Sequence, residues 1–104
     1  MENVLIDACI VPEASKAAFL EGARKIQTFI RTLPGFVEGF VYEKADGDSR
    51  YNVLTVAVWG NDEAYENART AVAAELKRQG LNPQQTLQNL NIERTRSTYH
   101  RTPY

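Results

Sequence analysis

The chain has 104 residues, 43% apolar and 24% charged, with a formal net charge of −1. These values fit one soluble domain over residues 1–104. Acidic and basic residues are intermixed, which excludes a general nucleic-acid binder, because that needs Lys and Arg in excess on one face. No apolar run approaches the ~20 residues that cross a bilayer, so no membrane partner is expected.

Met1-Glu2-Asn3-Val4 lacks the basic start and apolar stretch of a secretory signal, and a cytoplasmic setting is the expectation. Cys9 is the only cysteine, which rules out an intrachain disulfide and a CxxC motif.

Val4 to Val11 is a β-rich run ended by Pro12. Period-two reading puts Val4, Ile6, Ala8 and Ile10 on one face and Leu5, Asp7, Cys9 and Val11 on the other. The first set is purely apolar and is predicted to meet helices. The spacing turns helical from Glu13 to Arg31, where Phe19, Ala23, Ile26, Ile30 and Leu33 form one stripe. Pro34-Gly35 stops this helix.

Phe36 to Lys44 reads as a second strand, with Phe36, Glu38, Phe40 and Tyr42 on one face. Asp46-Gly47 is the turn signal of a hairpin over residues 45–49. Tyr51 to Trp59 follows as the third strand, with Tyr51, Val53, Thr55, Ala57 and Trp59 on one side. Asn61 or Asp62 then caps a second helix that runs to about Gln79, with Gly80 as its C-terminal cap. Pro83-Gln84-Gln85 opens a short helical turn with Leu87 and Leu90 facing inward. The last strand is predicted within Asn91 to His100, with Ile92 as its aliphatic anchor.

The order βαββαβ predicts an α+β, ferredoxin-like fold: a four-stranded antiparallel sheet with two helices on one face. The other face would then hold Phe36, Phe40, Tyr42, Tyr51, Val53, Ala57 and Trp59, more apolar surface than a soluble monomer exposes. A homodimer packed sheet to sheet is the expectation. The competing reading is a monomeric core in which these aromatics lie beneath the C-terminal segment.

Leu33-Pro34-Gly35-Phe36-Val37-Glu38-Gly39-Phe40 resembles the helix-to-strand junction of antibiotic-biosynthesis-monooxygenase domains. Residues 51–65, with a tryptophan ending the strand and a polar cap before the next helix, resemble the third strand of the same family. The resemblance covers about Asn3 to Leu76 and implies a dimeric α/β barrel with a pocket between each sheet and its helices. Some members oxidise polycyclic phenols or quinols with oxygen and no metal or flavin. Others degrade haem, isomerise small metabolites or have no assigned activity, so the resemblance speaks to fold before chemistry.

The resemblance carries a pocket-lining role to Trp59, whose indole offers a flat wall and one N–H donor; the alternative is a packing tryptophan. Tyr42, Tyr51 and Phe40 lie on the sheet face predicted to line the same cavity, where a phenol positions a quinol hydroxyl; cross-strand packing is the alternative. Tyr65 and Arg69 are four apart on the second helix and share a face. Arg69 is a candidate for stabilising a phenolate, against the alternative of a solvated surface arginine.

Asp7, mid-strand, costs desolvation unless paired. It is either a base for a phenol or the partner of an arginine on the last strand, Arg94 or Arg96. Cys9 reads as an inert buried thiol.

Haem-degrading relatives take their iron ligand from a histidine in the second helix, and Asp62 to Gln79 contains none. His100 is the only histidine, which argues against zinc or non-haem iron. The expectation is therefore a cofactor-independent oxygenase acting on an aromatic quinol or polyketide-like substrate, with Asp7, Trp59 and Arg69 as catalytic candidates. Its rival is a non-catalytic dimer that binds a small ligand.

Overall fold

The computed structural model describes residues 1–104, and its elements follow the predicted order with one addition, a 3₁₀ turn. They are β1 (Asn3–Ile10), a 3₁₀ turn (Glu13–Ser15), α1 (Lys16–Ile30), β2 (Phe36–Glu43), β3 (Val53–Trp59), α2 (Asp62–Arg78), α3 (Pro83–Asn89) and β4 (Glu93–His100). The strands form one antiparallel sheet in the order β2-β3-β1-β4, the ferredoxin-like arrangement. No helix is long and apolar enough to cross a membrane.

Local chemistry explains the boundaries. Pro12 and the 3₁₀ turn separate β1 from α1, with Ser15 N–H donating to the Pro12 carbonyl at 2.9 Å. β3 begins two residues later than the sequence suggests. The Asn52 side chain is engaged with the residue just after β1, donating to the Val11 carbonyl and accepting from Val11 N–H, both at 2.8 Å.

Asn61, not Asp62, caps α2 by accepting from Ala64 N–H at 2.8 Å. Asp62 and Glu63 in the first turn and Lys77 and Arg78 in the last match the helix dipole. Asn91 adopts φ 56° after α3, a left-handed stop that asparagine tolerates.

The period-two faces are as expected, but the helices cover the opposite one. Cross-strand partners share a face, and Asp7 lies opposite both Thr55 and Arg96 while Leu5 lies opposite Ala57. Leu5, Asp7, Cys9, Val53, Ala57 and Trp59 thus lie under the helices, not on the uncovered side. The apolar purity of Val4, Ile6, Ala8 and Ile10 misleads, because the single charge on the other set is neutralised from a neighbouring strand. Phe36 also leaves its predicted set. A bulge between Phe36 and Glu38 puts Phe36 beside Trp59 and shifts Glu38, Phe40 and Tyr42 to the uncovered face.

Two apolar clusters fill the helix side. Cys9, Val11, Val53 and Ile92 pack with Phe19, Leu20, Leu87 and Leu90 at one end. Ile30, Ala57, Trp59 and Ala68 pack with Leu5, Ile26, Phe36 and Tyr65 at the other. Ser15 Oγ donates to the Leu90 carbonyl at 2.7 Å and fastens the end of α3 to the turn before α1. The chain is a slab only 18 Å thick, consistent with one sheet and one layer of helices.

Candidate functional site

Between the two clusters the helix-side core is polar. Alternation along β1 places Asp7 between Leu5 and Cys9, and along β3 it places Thr55 between Val53 and Ala57. Asp7 is 8% exposed. Arg96 of β4 donates to it through both arms of its fork, Nε to Oδ1 at 2.7 Å and Nη2 to Oδ2 at 2.9 Å. Thr55 Oγ1 donates more weakly to Oδ2 at 3.4 Å. The bond to Asp7 pushes Arg96 above the ordinary guanidinium range. Of the sequence alternatives for Asp7, the structure shows the arginine pair.

This polar centre opens into a cavity of about 120 Å³ between the sheet and the two long helices. Asp7, Thr55, Ala57, Trp59 and Arg96 contribute from the sheet; Ile26, Gln27 and Ile30 from α1; Tyr65, Ala68, Arg69 and Val72 from α2. Trp59 is 2% exposed and meets Phe36 edge to face, with ring centroids 5.6 Å apart. That contact fixes the indole against the cavity. Arg69 is largely exposed, and its nearest acid, Glu66, is 3.7 Å away.

The structure therefore brings Asp7, Trp59, Tyr65 and Arg69 to one cavity and leaves the other three predicted residues outside it. Phe40 and Tyr42 lie on the uncovered face with their rings tilted and centroids 5.8 Å apart, both substantially exposed. The bulge in β2 and the covering of the opposite face by helices together put them there. Tyr51 precedes β3, on the hairpin, with the Arg50 guanidinium 5.6 Å above its ring.

Thr55 and Gln27 line the cavity and were missed. Thr55 carried a readable signal, a hydroxyl in the row Val53, Ala57 and Trp59. Gln27 carried none, being one polar residue beside an apolar helix stripe.

Cys9 is fully buried, and burial, reinforced by Asp7, pushes its thiol up to about 11. His100 lies away from the cavity lining. It bonds Asp62 Oδ1 at 2.9 Å, and Asn3 Nδ2 donates to the same oxygen at 3.0 Å. These bonds, His100 first, hold the Asp62 carboxyl below its usual range. A second, more open groove of about 360 Å³ runs between the Leu33-Pro34-Gly35 turn and α2. Small and neutral residues make most of it, with Glu63 as its single ionisable side chain.

The fold is that of the antibiotic-biosynthesis-monooxygenase proteins, as the sequence resemblance implies. No family model matches the chain, and no curated protein matches it in sequence. Among solved structures it is similar to SnoaB, a cofactor-independent oxygenase from Streptomyces nogalater. There the TM-score is 0.70 at 21% identity, covering 99% of this chain and 95% of that one. A Nitrosomonas europaea protein provisionally described as an antibiotic biosynthesis monooxygenase gives a TM-score of 0.73 at 14% identity, covering 98% of this chain and 91% of that one. The heme-degrading protein Rv3592 of Mycobacterium tuberculosis gives 0.59 at 22% identity, covering 66% of this chain and 78% of that one. At these identities the likeness is one of fold.

Proposed function

We propose that the chain acts as a homodimer whose cavity beneath Trp59 binds an aromatic quinol and delivers it to molecular oxygen without metal or flavin. The observation that carries this reading is the cavity itself. Its walls are mostly apolar, yet Asp7, Thr55, Tyr65 and Arg96 reach it between the two core clusters, and the largely exposed Arg69 also lines it. A partly buried ion pair contributes little net stability, because desolvation offsets much of the attraction, so its position argues for a use in binding. Likeness of fold to a cofactor-independent oxygenase supports the reaction class.

In that reaction an ionised quinol is electron-rich enough to reduce oxygen directly. One oxygen atom enters the ring and the other leaves as water, so one quinol and one oxygen molecule give one hydroxylated quinone and one water. The protein supplies a dry cavity, an aromatic wall in Trp59 and cationic donors for the oxyanion.

The dimer reading rests on the uncovered face. Phe40, Tyr42, Leu54 and Tyr99 are exposed there, around Ile6, Val56 and Val58. Only 12 of 104 residues are buried in the single chain, a small core for a free-standing domain. A second copy on this face would roof it isologously.

Oxygen consumption with hydroquinone tests the activity, using protein verified free of metal and flavin. Uptake that falls at least about tenfold in Trp59→Phe, roughly 1.4 kcal/mol of transition-state binding, is the expected result. Saturable quenching of Trp59 fluorescence by hydroquinone with no oxygen uptake would instead identify a ligand-binding dimer.

A further inference from the structure

We infer that the cavity beneath Trp59 takes a single-ring aromatic anion, and that Arg96, not Asp7, is the group that meets its ionised oxygen. This rests on reading the cavity as the ligand site and narrows what occupies it.

Size comes first. The cavity holds about 120 Å³. An apolar cavity of about 150 Å³ accommodates benzene, and sites for larger ligands run from about 300 Å³ upward. The space is close to what one ring needs, its open side making up the difference, and well short of what three fused rings need.

Charge comes second. The ionisable side chains that line the cavity are Asp7, Tyr65, Arg69 and Arg96. Asp7 and Arg96 offset each other, and Glu66, which faces Arg69, does not line the cavity. One positive charge is left over, which favours an anion in a site walled by low-dielectric groups.

Geometry decides between the two arginines. Arg69 is a largely exposed side chain midway along α2, so it attracts without orienting. Arg96 is clamped through Nε and one Nη2 hydrogen. A guanidinium has five N–H donors, so three remain for a ligand on a fork already fixed in place. Asp7 has both oxygens occupied by donors. It is a positioning residue that holds the guanidinium fork in place.

Calorimetric titration with three probes tests this: 4-nitrophenol above its ionisation midpoint, nitrobenzene as its neutral near-isostere, and 9-anthracenecarboxylate as a three-ring anion. Nitrophenolate is expected to bind at least tenfold more tightly than either of the others. Arg96→Lys, which keeps the charge and loses the fork, is expected to remove most of that preference. Arg69→Gln is expected to remove a smaller, salt-sensitive part.

Asp7 is read from the ionisation midpoint of bound 4-nitrophenol, which the wild type lowers. Asp7→Asn is expected to lower it further by leaving Arg96 uncompensated, a direction that loss of folding would not produce. If an arginine variant does not fold, the wild-type comparison of the probes still decides. Equal or tighter binding of nitrobenzene or 9-anthracenecarboxylate overturns the inference alone. Binding of none of the three overturns the reading of the cavity as well.

Discussion

Asp7 and Arg96 face each other directly across β1 and β4, and the guanidinium closes on both carboxylate oxygens at 2.7 and 2.9 Å. The pair sits where an uninterrupted apolar core would otherwise join the Cys9 cluster to the Trp59 cluster. Removing one partner strands the other. Asp7→Ala is expected to destabilise the fold by about 2 kcal/mol in urea denaturation. That is less than the roughly 3–5 kcal/mol of a fully buried pair, because the Arg96 side chain keeps 43% exposure. A loss under about 0.5 kcal/mol would show the pair to be energetically idle.

Two glycines are expected to respond differently to alanine. At Gly35 an added Cβ would lie 2.4 Å from Ala64 Cβ, and the backbone sits at φ +82°. At Gly39 the obstacle is Gln27 Oε1 at 2.3 Å, the far end of a side chain that can swing away. Gly35→Ala should therefore cost about 2–3 kcal/mol and Gly39→Ala about 1 kcal/mol. Thermal melting checks the order, and Gln27→Ala should relieve Gly39→Ala but not Gly35→Ala.

Cys9 sets an alkaline limit. Its thiol is protonated in both states below about pH 9, the unperturbed value, and the folded chain keeps the proton up to about 11. Between those values only the unfolded chain releases it, so stability is expected to fall with rising pH by roughly 2–3 kcal/mol. Urea midpoints compared for wild type and Cys9→Ala should diverge across this window; parallel profiles would contradict the burial argument.

The uncovered sheet face should make the protein dimeric. Sedimentation velocity is expected to give twice the 11.7 kDa of one chain. Val56→Lys, at the centre of that face and away from the helices, should give monomers that keep the far-UV spectrum. A wild-type monomer at all concentrations would remove the dimer.

Element order and the helix stripe were legible in the sequence because they depend on local periodicity: Phe19, Ile26, Ile30 and Leu33 all pack as their spacing requires. The side of the sheet that the helices take was not. That depends on Arg96 neutralising Asp7 across 89 positions of chain, a long-range pairing that alternation along β1 cannot show. Phe40 and Tyr42 lie on the uncovered face as the sequence predicts, but not together with Phe36 and Trp59. One bulged residue in β2 reverses the facing of everything after it, and no composition signal marks Val37 as the extra residue. Trp59, Tyr65 and Arg69 were readable as neighbours because a strand end and the next helix turn are close in sequence.

The most direct measurement is a crystal structure of the protein grown with 4-nitrophenol. The ring is expected against Trp59, with its oxygen within hydrogen-bond distance of an Arg96 nitrogen not used by Asp7. Density for the ring in the groove beside Gly35 instead, or a space beneath Trp59 closed by the protein's own side chains, would contradict a ligand site in the core.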